Sequence, residues 1–172
     1  PHFLKWGYHK DQVQELDWNQ HTTLKEGFTI HAVPTRHFSG RTLLRNTSLW
    51  TAYVLSTPQW QLFLGGDSGY GPHFKKIGEK FGPFDLAILE NGQYNEDWRY
   101  IHLLPEQFFS AARDLRVARV LPVHHSKFSL SLHAWDEPIK EISALRKDED
   151  PAMLTPRIGE KVDLDAPGPF KA

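Results

Sequence analysis

Cysteine is absent from all 172 residues, which excludes disulfides, thiolate metal sites and cysteine nucleophiles. That absence fits a reducing compartment. No sign of charge dominates either: 20 basic residues face 21 acidic ones, for a formal net charge of -1. No basic excess points to nucleic acid, and no block of like charges suggests an interaction tail. No apolar run approaches the roughly 20 residues that a membrane helix requires. Methionine occurs once, at Met153, and the first residue is Pro1, so neither a translation start nor a signal peptide is visible. The expectation is a part of a longer chain. Localisation signals would then lie elsewhere, leaving both a cytoplasmic and a membrane-associated location open.

What is present is ordinary for a globular domain. Hydrophobic residues make up 40%, aromatics 13% and charged residues 24%, in a chain of single-domain length. There is no repeat, low-complexity tract or linker, so residues 1–172 read as one domain. "VQELDW" (13–18), "FTIHAVPT" (28–35), "LWTAYVL" (49–55) and "WQLFLGG" (60–66) read as strands, the last two as an antiparallel hairpin. "PHFKKIGEKFG" (72–82) carries Phe74, Ile77 and Phe81 at helical spacing. "FDLAILE" (84–90) is a near-continuous apolar strand. Pro105 opens a helix lined by Phe108, Phe109, Ala112 and Leu115, "RVLPV" (119–123) is a strand, and Asp136 to Arg146 is a last helix. A weak strand, "KVDL", lies in a Pro- and Gly-rich tail. Strands first, then strands alternating with helices, predict a mixed α/β sheet with its helices on one face. The other face must be buried against something, and no second layer for it is evident in the sequence.

Three apolar runs end on side chains able to bind metal. "HAVPTRH" ends on His37, "FLGGD" on Asp67, and "RVLPVHH" on His124 and His125. Asp67 within "GGDSG" reads equally as a turn residue. Three such ends together favour a metal site, because imidazole and carboxylate suit zinc-like ions and strand ends hold them rigidly. His124 and His125 are neighbours, so in extended chain only one of them enters a given site. Glu90 ends a buried strand and reads either as a support of the site or as a turn residue. Tyr70, Tyr94, Trp98 and Tyr100 read as core or rim packing or as the lining of an apolar groove. Lys75 and Lys76 read as solvated.

"PTRHFSGRTL", "LGGDSGYGPHFKKIGEKFGPFDLAILENGQY" and "LPVHHSKF" resemble the metallo-β-lactamase superfamily, and within it the branch of N-acyl-phosphatidylethanolamine phospholipase D and related zinc hydrolases. The resemblance runs from about Leu4 to Phe128. It implies that His37 binds one metal, Asp67 bridges two and His124 binds the second. It also matches His102, in "HLLPEQ", to an active-site histidine that contacts substrate or moves a proton; a surface role before a helix is the plain alternative. The cofactor implied is a pair of zinc ions, with other divalent metals compatible. The family's H-x-H-x-D-H signature is missing from this sequence. The chain is therefore expected to be the C-terminal half of a four-layer αββα fold, partnered by an absent N-terminal half and inactive alone. The implied activity is hydrolysis of a phosphodiester, in the manner of a phospholipase D, with a membrane-surface substrate compatible. A lactonase or other ester hydrolase and a non-catalytic binding module are the alternatives. No nucleic-acid partner is expected, and the oligomeric state is not legible. If the site is real, ring nitrogens of His37 and His124 should lie within about 8 Å of each other with Asp67 between them, given metal–nitrogen bonds near 2 Å and paired metals about 3.5–4 Å apart.

Overall fold

The computed structural model describes residues 2–40, 43 and 45–165; the end of the Pro- and Gly-rich tail lies outside them. Among the described residues, seven strands lie side by side in sequence order. They are β1 (His21–Thr23), β2 (Thr29–Pro34), β3 (Thr51–Ser56), β4 (Gln61–Leu64), β5 (Leu86–Glu90), β6 (Arg119–Val123) and β7 (Ala152–Met153). The first four run antiparallel and the last three parallel to β4, giving one mixed sheet. Connection length explains the change. A short turn joins β3 to β4, closed by Thr57 N donating to Trp60 O at 2.9 Å, while the Thr57 hydroxyl accepts from the amides of Gln59 and Trp60. Parallel neighbours need a crossover. Helices α2 (His73–Phe81), α3 (Pro105–Leu115) and α4 (Glu137–Leu145) supply the three crossovers, and a short α1 (His2–Lys5) precedes the sheet.

The register sorts apolar residues to one face. Val33 lies opposite Ala52, Val54 opposite Phe63, Phe63 opposite Ala87, and Ala87 opposite Val120. All six are buried. They form one cluster with Phe74 and Ile77 of α2, Phe108, Ala112 and Leu115 of α3, and Ile142 of α4. Each large side chain in that cluster stabilises the fold by about 1.5–3 kcal/mol through burial. The helices thus cover one face, as the order of the elements predicts. On the opposite face Ile30, Leu55, Leu62, Leu64, Ile88 and Leu121 are half-buried and Tyr53 is exposed.

Two expected strands are not strands. Val13–Trp18 runs without a ladder, because Asp17 and Gln20 close a turn through Asp17 N to Gln20 Oε1 at 2.8 Å, and Trp18 Nε1 donates to Trp50 O at 2.9 Å. "KVDL" pairs with no strand among the described residues; Arg119 Nη1 donates to Leu164 O at 3.0 Å instead.

Candidate metal centre

The three strand-end positions converge. His37 lies in the loop after β2, where its Nδ1 sits 2.8 Å from Phe38 O. A carbonyl only accepts, so Nδ1 carries the proton and Nε2 keeps a free lone pair, the tautomer a metal ligand needs. That Nε2 lies 4.0 Å from Asp67 Oδ2. His124, immediately after β6, brings its own Nε2 to 3.9 Å from the same oxygen. The two imidazoles therefore flank one carboxylate within the reach required of ligands to paired metals. Separations of 3.9–4.0 Å are too long for hydrogen bonds. These groups converge without satisfying one another, and a set of imidazoles and carboxylate suits a divalent ion.

His102 joins them. Its ring stands edge-on to His37, with centroids 5.4 Å apart, and near-parallel to His124 at 5.6 Å. One ligand atom each from His37, Asp67 and His102 all lie within 4.8 Å of one another, so this trio is also able to hold an ion. His125 turns away, its Nδ1 lying 2.6 Å from Ser126 Oγ and its Nε2 3.2 Å from Pro122 O.

Glycines make the convergence sterically feasible. A Cβ on Gly65 would lie 2.8 Å from Ile88 O, so the end of β4 passes flush against β5 before Asp67. A Cβ on Gly92 would lie 2.0 Å from His124 O, and His124 itself adopts a left-handed φ of 65°. Side chains other than glycine rarely take that conformation, and it persists where the surroundings impose it.

Below the cluster lies a buried carboxylate. Glu90, the last residue of β5, is 1% exposed, and its Oε1 accepts from Leu103 N at 2.5 Å. His102 Nδ1 sits 3.4 Å from that same oxygen. Burial pushes the Glu90 carboxyl up, opposed by His102 and the Leu103 amide. Burial pulls His102 down, but the neighbouring Glu90 and the charge of Asp67 outweigh it and raise it overall.

A second set of contacts straps the loops together. Arg36 N donates to Ser68 Oγ at 3.0 Å, and Gly69 N donates back to Arg36 O at 2.9 Å. The loop of His37 and the turn of Asp67 are thereby fixed to each other. Arg36 also covers the Tyr100 ring at 4.3 Å, and Gly69 abuts the Tyr100–Ile101 backbone, which leads to His102. Ser68 Oγ lies 3.0 Å from His73 Nε2, on α2. Burial, with the charge of Arg36 adding to it, brings His73 down to about 4. Ser68, Arg36 and His73 are not legible as site residues in the sequence, since no motif spacing links them.

His73 gives a test by pH. An unfolded imidazole titrates near 6.5. The folded protein resists that proton until about pH 4. Stability is therefore full above pH 6.5 and falls as pH drops from there towards 4, as the unfolded chain takes up the proton first. The ring is partly solvated, so the expected loss is on the order of 1–2 kcal/mol. Urea denaturation at neutral and mildly acidic pH should show it, and His73→Gln should flatten that part of the profile. An unchanged slope in the variant would exclude His73 as the cause.

Beside His124, a cleft of about 470 Å³ is lined by Gln93, His125, Lys127, Phe128 and Leu130. Gln93 builds its wall: Nε2 donates to Phe128 O at 2.7 Å, and Oε1 accepts from the amides of Leu130 and Ser131. Phe128 and Leu130 are left exposed at 70% and 73%. Of the four aromatic residues, Tyr70 and Tyr94 tie helices, through Asp114 and Glu137, while Trp98 and Tyr100 lie near the cluster. Lys75 and Lys76 are exposed on α2.

Residues 2–125 match the family described as a beta-lactamase superfamily domain. The outer membrane protein RomA of Klebsiella pneumoniae is 58% identical over 120 residues, covering 66% of this chain and 91% of RomA. The mitochondrial N-acyl-phosphatidylethanolamine-hydrolyzing phospholipase D of Saccharomyces cerevisiae is 36% identical over 146 residues, which are 78% of this chain and 31% of the yeast protein. Among solved structures, Igni18, a metallo hydrolase from Ignicoccus hospitalis, aligns with a TM-score of 0.62 at 20% identity, covering 84% of this chain and 57% of Igni18. The chain belongs to the metallo-β-lactamase superfamily, in the branch of N-acyl-phosphatidylethanolamine phospholipase D. It spans well under two thirds of the yeast and archaeal proteins.

Proposed function

We propose that this chain supplies the C-terminal ligands of a dinuclear zinc site in a hydrolase that cleaves a phosphodiester. The observation that carries this reading is the approach of His37 and His124 to a single oxygen of Asp67 from two different strand ends. His37, Asp67 and His124 would hold the ions, and His102 would stand beside them without coordinating. When bound, two divalent ions supply Lewis acidity and a water of lowered pKa. The chain's own residues do the rest. Arg36 and Ser68 fix the ligand loops, His102 accepts or returns a proton at the reacting centre, and the His124 cleft receives the substrate.

The remaining ligands come from an N-terminal half outside this chain, so the chain alone is inactive. That half also covers the half-exposed apolar face of the sheet. Phe128 and Leu130 give the cleft an apolar rim, which suits a substrate presented at a membrane surface. The phospholipase relatives favour a phosphodiester over a lactone or other ester. The test is turnover of bis(p-nitrophenyl) phosphate and of p-nitrophenyl esters by the protein that contains this chain. Phosphodiester cleavage should vanish with chelator and return with zinc. Cleavage of esters alone would favour the esterase reading, and turnover indifferent to chelator would defeat both.

A further inference from the structure

We infer that Glu90 fixes the tautomer of His102, holding its proton on Nδ1 and presenting a bare Nε2 to the His37–Asp67–His124 cluster. The geometry turns on which oxygen faces the ring. His102 Nδ1 contacts Glu90 Oε1 at 3.4 Å, and Oε1 is already the acceptor of the Leu103 amide at 2.5 Å. The hydroxyl oxygen of a carboxylic acid is a weaker acceptor than its carbonyl oxygen, so close engagement by the amide favours Oε1 as the unprotonated oxygen. If the carboxyl held a proton, it would then sit on Oε2, which has no hydrogen-bond partner among the described residues. In either case Nδ1 faces an acceptor, so Nδ1 is the donor.

Burial makes the arrangement consequential. Glu90 is 1% and His102 7% exposed, and among the described residues neither Nδ1 nor Oε2 has a hydrogen-bond partner of ordinary geometry. A buried carboxylate is costly unless donors face it, and His102 is the side chain placed to join the Leu103 amide in doing so. The 3.4 Å contact is long for a hydrogen bond, as such contacts often are before substrate is in place. Glu90 is thus a positioning residue, acting through His102. With Nδ1 occupied, Nε2 is left as the proton acceptor of the site.

This rests on the reading of His102 as a non-coordinating active-site residue, but its test does not. Metal-free protein containing this chain, labelled with ¹⁵N-histidine, is studied at a pH well above imidazole titration, with His102 assigned by loss of its signals in His102→Gln. Long-range ¹⁵N–¹H correlations should show Nδ1 protonated and Nε2 bare. Glu90→Gln keeps an acceptor oxygen and should keep that pattern. Glu90→Met removes it and should shift His102 towards the Nε2–H form favoured by free imidazole, with turnover falling about 10- to 100-fold. An Nε2–H pattern in the native protein overturns the inference, as does an unchanged pattern in folded Glu90→Met. Should Glu90→Met fail to fold, the native and Glu90→Gln spectra decide, since an Nε2–H pattern in either is contrary. Zinc uptake by the native protein, measured separately, reports on the metal-site reading alone.

Discussion

Replacing Asp67 with Ala should leave the protein with less than one bound metal equivalent, against two expected for the native protein, and should lower turnover by at least about 10³-fold. The reason is geometric. One Asp67 oxygen is the point to which both His37 and His124 are directed, at 4.0 and 3.9 Å. On the proposed assignment, removing it would delete a ligand from each ion at once, whereas removing either histidine would delete a ligand from one. The Asp67 side chain is 41% exposed, so its loss does little to the metal-free fold. Denaturation of the metal-free variant should stay within about 0.5 kcal/mol of the native protein. Metal analysis and denaturation together decide the matter. A variant that keeps two equivalents would show that Asp67 is a turn residue and no more.

His102→Ala should give the opposite division: metal content intact and turnover lower by about 10²- to 10⁴-fold, the range of a lost general acid or base. It should also cost stability. The ring is buried and faces Glu90 Oε1, so its removal leaves that carboxylate without its nearest polar side chain. About 1–3 kcal/mol is expected, and turnover is to be read well below the unfolding midpoint. Because a ligand atom of His102 lies within 4.8 Å of those of His37 and Asp67, coordination is the competing role. Loss of one metal equivalent from His102→Ala would establish it.

The parts of this fold that were legible in the sequence are those with a long period or an unbroken apolar run. Helix α3 matches its stripe of Phe108, Phe109, Ala112 and Leu115, and β5 matches the run Leu86–Leu89. β1 and β7 were not legible, because three residues and two residues carry no period. Their place is set by partners at His31 and Arg119 instead. Val13–Trp18 alternates like a strand, yet the turn at Asp17–Gln20 withdraws it from the sheet. In the site, the strand-end ligands were readable as chemistry placed at element ends. The groups that hold them were not. Gln93 grips Leu130 across 37 residues, and Arg36 meets Ser68 across 32. Such pairings leave no local pattern. Glu90 was ambiguous for the same reason: only the return of the chain at His102 and Leu103 tells a buried partner from a turn.

The most direct measurement is a crystal structure of the zinc-loaded protein containing this chain, with anomalous data collected on both sides of the zinc absorption edge. Two peaks should appear about 3.5–4 Å apart. Both should be bonded to Asp67, one also to His37 and the other to His124, with His102 outside bonding distance. Zinc bound away from Asp67, or a single ion held by His37, Asp67 and His102, would contradict the dinuclear assignment.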